Sequence, residues 1–437
     1  MKVLFPDADE MDAAGYASLR HVPFFLNDDL SYPEDVNRYI RERALLEWRF
    51  TDAFPEDQVP TLRRALSYPT TASLRTLAER LKNFLHWCDW RGKDWKTISF
   101  LDDIVNGYQL DMLTGRWSAQ AQRLRAETIN RRVSETVLFL AWTAKRGLRE
   151  APLSIPHLRH WASYGEGYSH RPLSLPKVHD VLRQFELPKP AIVAAWMKDV
   201  TALKGPVKAL CCELVLETGI RIEECVQWRA DTLPHDRRNW NVRGDTVRVQ
   251  ICAGTKGRRH RPDDVNGPPR WISLPITLAE KLDRYRKETR NSQHARWIRS
   301  SSTSQERSDR RSTKIPDRLF LGETSNRPFS ARMLRSAWTG VPTSPPGWSP
   351  HKGRHYFACM RLLTLTNARF ELAGTSSRHF NSDWLVGSLT NDIEISLKPA
   401  LGHISPHTTN KYIQWIQDWY EAQDTKGPLR WQEYLDE

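Results

Sequence analysis

Tyr412 lies nine residues after His403 in the stretch LGHISPHTTNKYIQW, and Arg221, Lys256, His351 and Arg354 stand upstream in that order. A tyrosine hydroxyl beside several cations is equipped to attack a phosphodiester and hold the product as a covalent ester. Phosphodiester transfer needs three things: a nucleophile, positive charge on the non-bridging oxygens, and a proton donor for the leaving oxygen.

Each residue has a local setting that suits this chemistry and a plainer alternative. In ETGIRIEECVQW, Gly219 ends one predicted helix and Arg221 opens the next, where unpaired N–H groups favour an oxyanion. Glu224, three residues on, shares its face and can hold it; an ordinary surface pair is the commoner reading of the segment alone. Lys256, in GTKGRR, sits at the tip of a predicted hairpin, where it can protonate a leaving alkoxide or simply be a solvated turn lysine. In SPHKGRHYFA, Ser349 can cap a helix with Pro350 at its first position, which puts His351 and Arg354 on one face at a positive helix end. That pair also fits plain backbone-phosphate contacts. His403 follows Gly402 in a turn, and Tyr412 stands on a helix starting near Thr408, where with Trp415 and Trp419 a core stripe is the commoner reading of the segment alone.

The elements that must position these residues are mostly helical. Pro33 to Trp48 reads as a helix with Ser31 or Tyr32 near its cap. Leu74, Leu77, Leu81, Phe84 and Leu85 recur at helical spacing, closed by Trp87. Further helices are expected over 101–114, stopped by Gly115, and over 127–145, stopped by Gly147. Residues 60–150 therefore predict a small helical bundle with Arg123, Arg125, Arg131 and Arg132 on exposed faces. The stretch 151–190, broken by six prolines, reads as an inter-domain connection. One helix is expected over 191–217, then a strand at Val247–Ile251, a turn bracketed by Gly254 and Gly257, and a returning strand at Trp271–Leu274. Residues 291–314, Ser-rich with 6 Lys/Arg, read as a flexible basic insertion ordered by nucleic acid. Helices resume around 330–338, 350–366 and 408–422. The fold class is thus mainly α with a small antiparallel β-hairpin, divided as an acidic segment 1–59, a bundle 60–150, a connection 151–190 and a second domain 191–437.

Composition narrows the function. The formal net charge is +13, yet residues 1–60 hold 13 Asp/Glu against 6 Lys/Arg, so the rest of the chain carries +20. That basic body suits a polyanion, whereas the acidic leader should be repelled by one and suits an accessory protein contact or autoinhibition. No run of about 18 apolar residues exists, so no membrane span is expected, and the first residues lack a secretory leader. The six cysteines form no CxxC pair, which favours buried free thiols in a reducing compartment over a metal site.

Arginine with Glu at +3, a hairpin lysine, HxxR, then GH with Tyr at +9 together resemble the tyrosine recombinase (phage integrase) superfamily, over roughly residues 60–425. The resemblance implies a helical core-binding domain at 60–150 and an α+β catalytic domain at 191–437, closing as a C-shaped clamp on duplex DNA. It implies that Arg221, Arg354 and His403 stabilise the scissile phosphate and Lys256 is the general acid for the 5′ hydroxyl. His351 would assist proton transfer, Glu224 would support the site, and Tyr412 would form a 3′-phosphotyrosyl link. Arg258 and Arg259, with the bundle arginines, would contact DNA. No metal, ATP or other cofactor is implied. The partners would be double-stranded DNA and a homo-tetramer on synapsed sites, in the cytoplasm at the nucleoid, with residues 413–437 packing on a neighbouring subunit or within their own domain. The reaction would be site-specific integration or excision of a mobile element. A type IB topoisomerase would use nearly the same groups, and an architectural DNA-binding protein would keep only the charge. Gly353 departs from the family's usual apolar residue and predicts a looser helix start.

Overall fold

Helical periodicity and glycine stops decide most of this chain. The computed structural model describes residues 1–49, 68–149, 178, 185–257, 266–312, 315–322, 327–372, 382–402 and 406–424. Among them, residues up to Val178 and residues from 185 onward belong to two separate compact units. No described helix is long and apolar enough to cross a membrane.

The first unit opens with strands β1 (Lys2–Leu4) and β2 (Phe24–Leu26), antiparallel with Lys2 opposite Leu26, flanking helix α1 (Ala8–Ala13). Helix α2 (Glu34–Ala44) follows, with Pro33 itself as its N-cap. Helix α3 (Thr71–Arg91) is capped by Thr70 and ends at left-handed Gly92, and its Leu74, Leu77, Leu81 and Phe84 are buried. Each such side chain contributes about 1.5–3 kcal/mol. The segment expected over 101–114 is wound as a π-helix at Phe100–Gln109 before short α4 (Leu110–Thr114), stopped by left-handed Gly115. Helix α5 (Ala126–Lys145) completes the unit.

Part of the acidic leader belongs to this core. Phe25, Val36, Tyr39 and Ile40 join Phe84, Phe139 and Trp142 in one apolar cluster. The buried Tyr39 hydroxyl donates to Glu135 at 2.5 Å, and Trp142 Nε1 donates to Glu42 at 2.8 Å. The leader's acidity thus partly serves internal hydrogen bonding.

In the second unit, the helix expected over 191–217 is two helices, α6 (Pro190–Lys204) and α7 (Pro206–Thr218). Proline has no N–H to continue the ladder and restricts the residue before it, so Gly205–Pro206 breaks the run. Left-handed Gly219 caps α7, and α8 (Ile222–Val226) follows at once. The hairpin gains a third strand: β3 (Asn241–Arg243), β4 (Thr246–Ile251) and β5 (Arg270–Pro275) are antiparallel, with Ile251 opposite Arg270. Helix α9 (Ile276–Arg284) leaves the sheet, and α12 (Ala331–Thr339) and α13 (Pro350–Leu372) close over α7. Trp196, Trp338 and Trp348 meet in this core with centroids 4.6–5.8 Å apart.

The segment expected to be a flexible insertion is instead helical, α10 (Asn291–Arg299) and α11 (Ser304–Ser312). Arg310 of the second helix donates to the Trp297 carbonyl of the first and stacks on its ring at 4.9 Å, tying the two together. Gly353 does not loosen α13 either: its N–H bonds Ser349 O at 2.8 Å, and a Cβ there would meet the Trp338 ring at 2.5 Å. Its absent side chain lets helix and indole touch. Further helices α14 (Ser382–Asp392), α15 (Lys398–Leu401) and α16 (Pro406–Asp424) were not all expected. Ile413, Ile416 and Tyr420 of α16 pack with Ala358, Cys359 and Leu362 of α13, so this part of the 413–437 segment serves its own chain.

Candidate active site

Arg221 is the N-cap of α8, and its place there is fixed by Glu224. The Arg221 N–H donates to Glu224 Oε2 at 2.6 Å and its Nη1 donates to Oε1 at 3.1 Å. Glu224 is fully buried; burial alone would raise its pKa, but hydrogen bonds and charge from Arg270 and Arg221 outweigh that and hold it below the usual carboxylate range. Arg270 was missed in the sequence. From the start of β5 it donates Nη2 to Glu224 Oε2 at 2.7 Å and Nε to Oε1 at 3.3 Å.

Arg354 comes from the first turn of α13 and is 6% exposed. Its Nη1 donates to Gly219 O at 2.6 Å, and its Nη2 donates to Leu401 O. Burial, then the charges of Arg221 and Arg270, draw its pKa down to about 9, so it remains a cation at neutral pH. Two turns that precede site residues, Gly219 before Arg221 and Leu401 before His403, are thereby tied to one guanidinium.

Tyr412 of α16 is only 2% exposed. Its hydroxyl lies 2.8 Å from Nδ1 of His355, a second residue missed in the sequence. His355 sits one helical turn beyond His351, and the rings meet edge-on at 4.5 Å. That i, i+4 repeat was the available signal. Phe185 packs against both partners, 5.4 Å from the His355 ring and 6.3 Å from the Tyr412 ring. Burial, then neighbouring Cys359, pushes the phenol above its ordinary range, opposed by Arg354. Burial, then the nearby His351 and Arg354, lowers His355 to about 3, so the pair rests as neutral phenol and neutral imidazole. His351 stays at the rim; partial loss of hydration, then the charges of Arg354, Arg221 and Lys256, lowers its pKa.

Lys256 is exposed on the hairpin, whose neck is fastened by Thr255 Oγ1 to Gly267 O at 2.6 Å and Gly254 N to Asn266 Oδ1 at 2.7 Å. Left-handed Gly254 lets the neck press on α8, since a Cβ there would meet Glu223 O at 2.6 Å. His403, Arg258 and Arg259 lie outside the described residues. Gly402, directly before His403, is described: a Cβ there would lie 3.7 Å from Arg221 Nη1 and 3.6 Å from Arg270 Cδ.

Arg221, Glu224, Lys256, His351, Arg354 and Tyr412 are thus close enough for their charges and hydrogen bonds to act on one another directly or through a neighbour. The bundle arginines belong to the other unit. Arg123 and Arg125 are exposed, Arg131 pairs with Glu127, and Arg132 reaches Met112 Sδ at 3.8 Å. Among the described residues no His/Cys/Asp/Glu group could hold a metal ion, and of the six cysteines Cys252 is exposed while the others are buried.

No protein-family model and no curated protein matches this chain. Among solved structures it is similar to XerH site-specific recombinase bound to palindromic difH substrate in a post-cleavage complex, 13% identical, covering 90% of this chain and 94% of that chain, with a TM-score of 0.49. It is also similar to a lambda integrase dimer bound to a COC′ core site, 12% identical, covering 87% of this chain and 94% of that one, with a TM-score of 0.43. For the Tn1549 transposon integrase in complex with circular intermediate DNA, identity is 14%, coverage 77% and 88%, and the TM-score 0.40.

Proposed function

We propose that this chain is a site-specific DNA recombinase of the tyrosine type, cutting and rejoining strands for the integration or excision of a mobile element. The Tyr412 oxygen attacks the scissile phosphorus, the bond to the 5′ oxygen breaks, and a 3′-phosphotyrosyl ester forms. The phenol proton passes to the adjacent imidazoles, and Lys256 gives a proton to the departing 5′ oxygen. Arg221, Arg354 and His403 receive the charge that builds on the non-bridging oxygens, and Glu224 holds Arg221 in place. Rejoining reverses these steps with a new 5′ hydroxyl. One ester replaces another, so no ATP is required. Double-stranded DNA is the substrate, a homo-tetramer on paired sites the working assembly, and the arginines of the helical bundle its backbone contacts.

The observation that carries this reading is the Tyr412 hydroxyl, buried beside His355 and within the influence of the Arg354 charge. A tyrosine serving only the core needs no imidazole–guanidinium surroundings. The test is a nicked suicide duplex from the element's own genetic neighbourhood, incubated with the protein and run on a denaturing gel. A shifted covalent band that depends on Tyr412 is expected. No band with any such substrate overturns the reading.

A further inference from the structure

We propose that Arg270 is a third phosphate-binding guanidinium of this site, a role that rests on the reading above and extends it. Arg270 is placed by β5, opposite Ile251 in the sheet, and its side chain is one-tenth exposed. Nε and Nη2 form a two-pronged contact with Glu224. Nη1 is buried and meets no hydrogen-bond acceptor. Among the described residues it is the only guanidinium terminal nitrogen in that condition; the other buried, unpartnered arginine nitrogens, on Arg43, Arg286 and Arg290, are all Nε.

Pairing with Glu224 does not account for this geometry. Both oxygens of Glu224 already accept from Arg221 and Arg270, so one carboxylate serves two guanidiniums directly while Arg354 stands within reach of both. A buried charged donor with no acceptor is costly, and an anion supplied from outside would satisfy it. The location fits such a guest. The Arg270 stem and the Arg221 guanidinium both border Gly402, the residue before His403: a Cβ there would lie 3.6 Å from Arg270 Cδ and 3.7 Å from Arg221 Nη1, in ordinary contact with each. A planar guanidinium with two nitrogens held on a carboxylate keeps its third in a fixed direction, which suits one non-bridging phosphate oxygen.

The test uses the full chain, with Arg270→Gln and Arg270→Ala. Two readouts are taken: thermal stabilisation of the DNA-free protein by inorganic phosphate, and the rate of covalent trapping on nicked duplex. Arg270→Gln should lose most of the phosphate-induced shift and slow trapping by about 10²–10³-fold, with duplex affinity nearly unchanged. Arg270→Ala should lose both in the same way. Wild-type trapping by either variant, or a phosphate shift that survives loss of Arg270, overturns the proposal. If the wild-type chain traps no DNA yet its phosphate shift still depends on Arg270, the anion site stands and the strand-transfer reading fails.

Discussion

The helical bundle and the second unit each bury carboxylates among arginines, but they balance the charge differently. In the bundle, Asp111 is 1% exposed and accepts from Trp87 and from the fork of Arg91, whose side chain is 38% exposed. Glu42 is likewise buried between Arg38 and Arg146, both close to half exposed, so surplus positive charge faces water. Around Glu224 the surplus is held inside: Arg270 is one-tenth exposed and Arg354 less. Buried cation excess is expensive, and proteins tend to keep it where a ligand supplies the counter-charge. The first arrangement fastens helices, and the second leaves a buried guanidinium nitrogen without an acceptor.

That contrast can be broken at several points. The largest effect is expected from Tyr412→Phe, which should abolish covalent DNA capture while leaving duplex binding within a few-fold, as gel and filter assays would read. A Phe variant still trapping DNA refutes the nucleophile. Arg354→Lys should slow cleavage by about 10²–10³-fold, since one ammonium cannot bond Gly219 O and Leu401 O at once and so would misplace both arms and the charge beside Tyr412. It should also lower the melting temperature, because Gly219 O and Leu401 O lose their donor.

Asp111→Ala should do the reverse, costing about 3 kcal/mol of stability, the lower end for breaking a buried pair because Arg91 can turn to water. Chemical denaturation measures this, and trapping by the folded fraction should be unchanged. Gly353→Ala should cost about 1–3 kcal/mol by forcing a methyl against Trp338. An unshifted denaturation midpoint would mean that α13 and the indole separate freely.

An effect confined to acid comes last. His355 is neutral when folded, with its pKa near 3, and titrates near 6.5 when unfolded, so unfolding takes up a proton. Stability is therefore lost as pH falls from about 6.5 towards 3. His355→Gln should flatten the melting-temperature profile across that window. Equal slopes for both proteins would show that His355 ionises freely in the folded chain.

Much of the scaffold could be read from local signals. Gly219 and Gly115 stop helices because they occupy left-handed conformations, and the α3 stripe is a plain period of 3.6. Arg221 with Glu224 was legible because both partners lie in one helical turn. What escaped depends on distant approach. Arg270 is one strand arginine among many until the fold brings it to Glu224, 46 positions earlier. His355 gains meaning only from Tyr412, 57 positions later. The serine-rich 291–314 stretch looked unstructured because its order rests on arginine contacts to carbonyls and one indole rather than on an apolar face. Gly353 misled because a missing side chain can signal tight contact as readily as slack.

Arg354 joins Gly219 O to Leu401 O, so one residue fixes the distance between two arms of the pocket and also lends it charge. A sequence drifting at this position would lose geometry and electrostatics in the same step. Restoring charge from a neighbouring position would leave the arms unlinked.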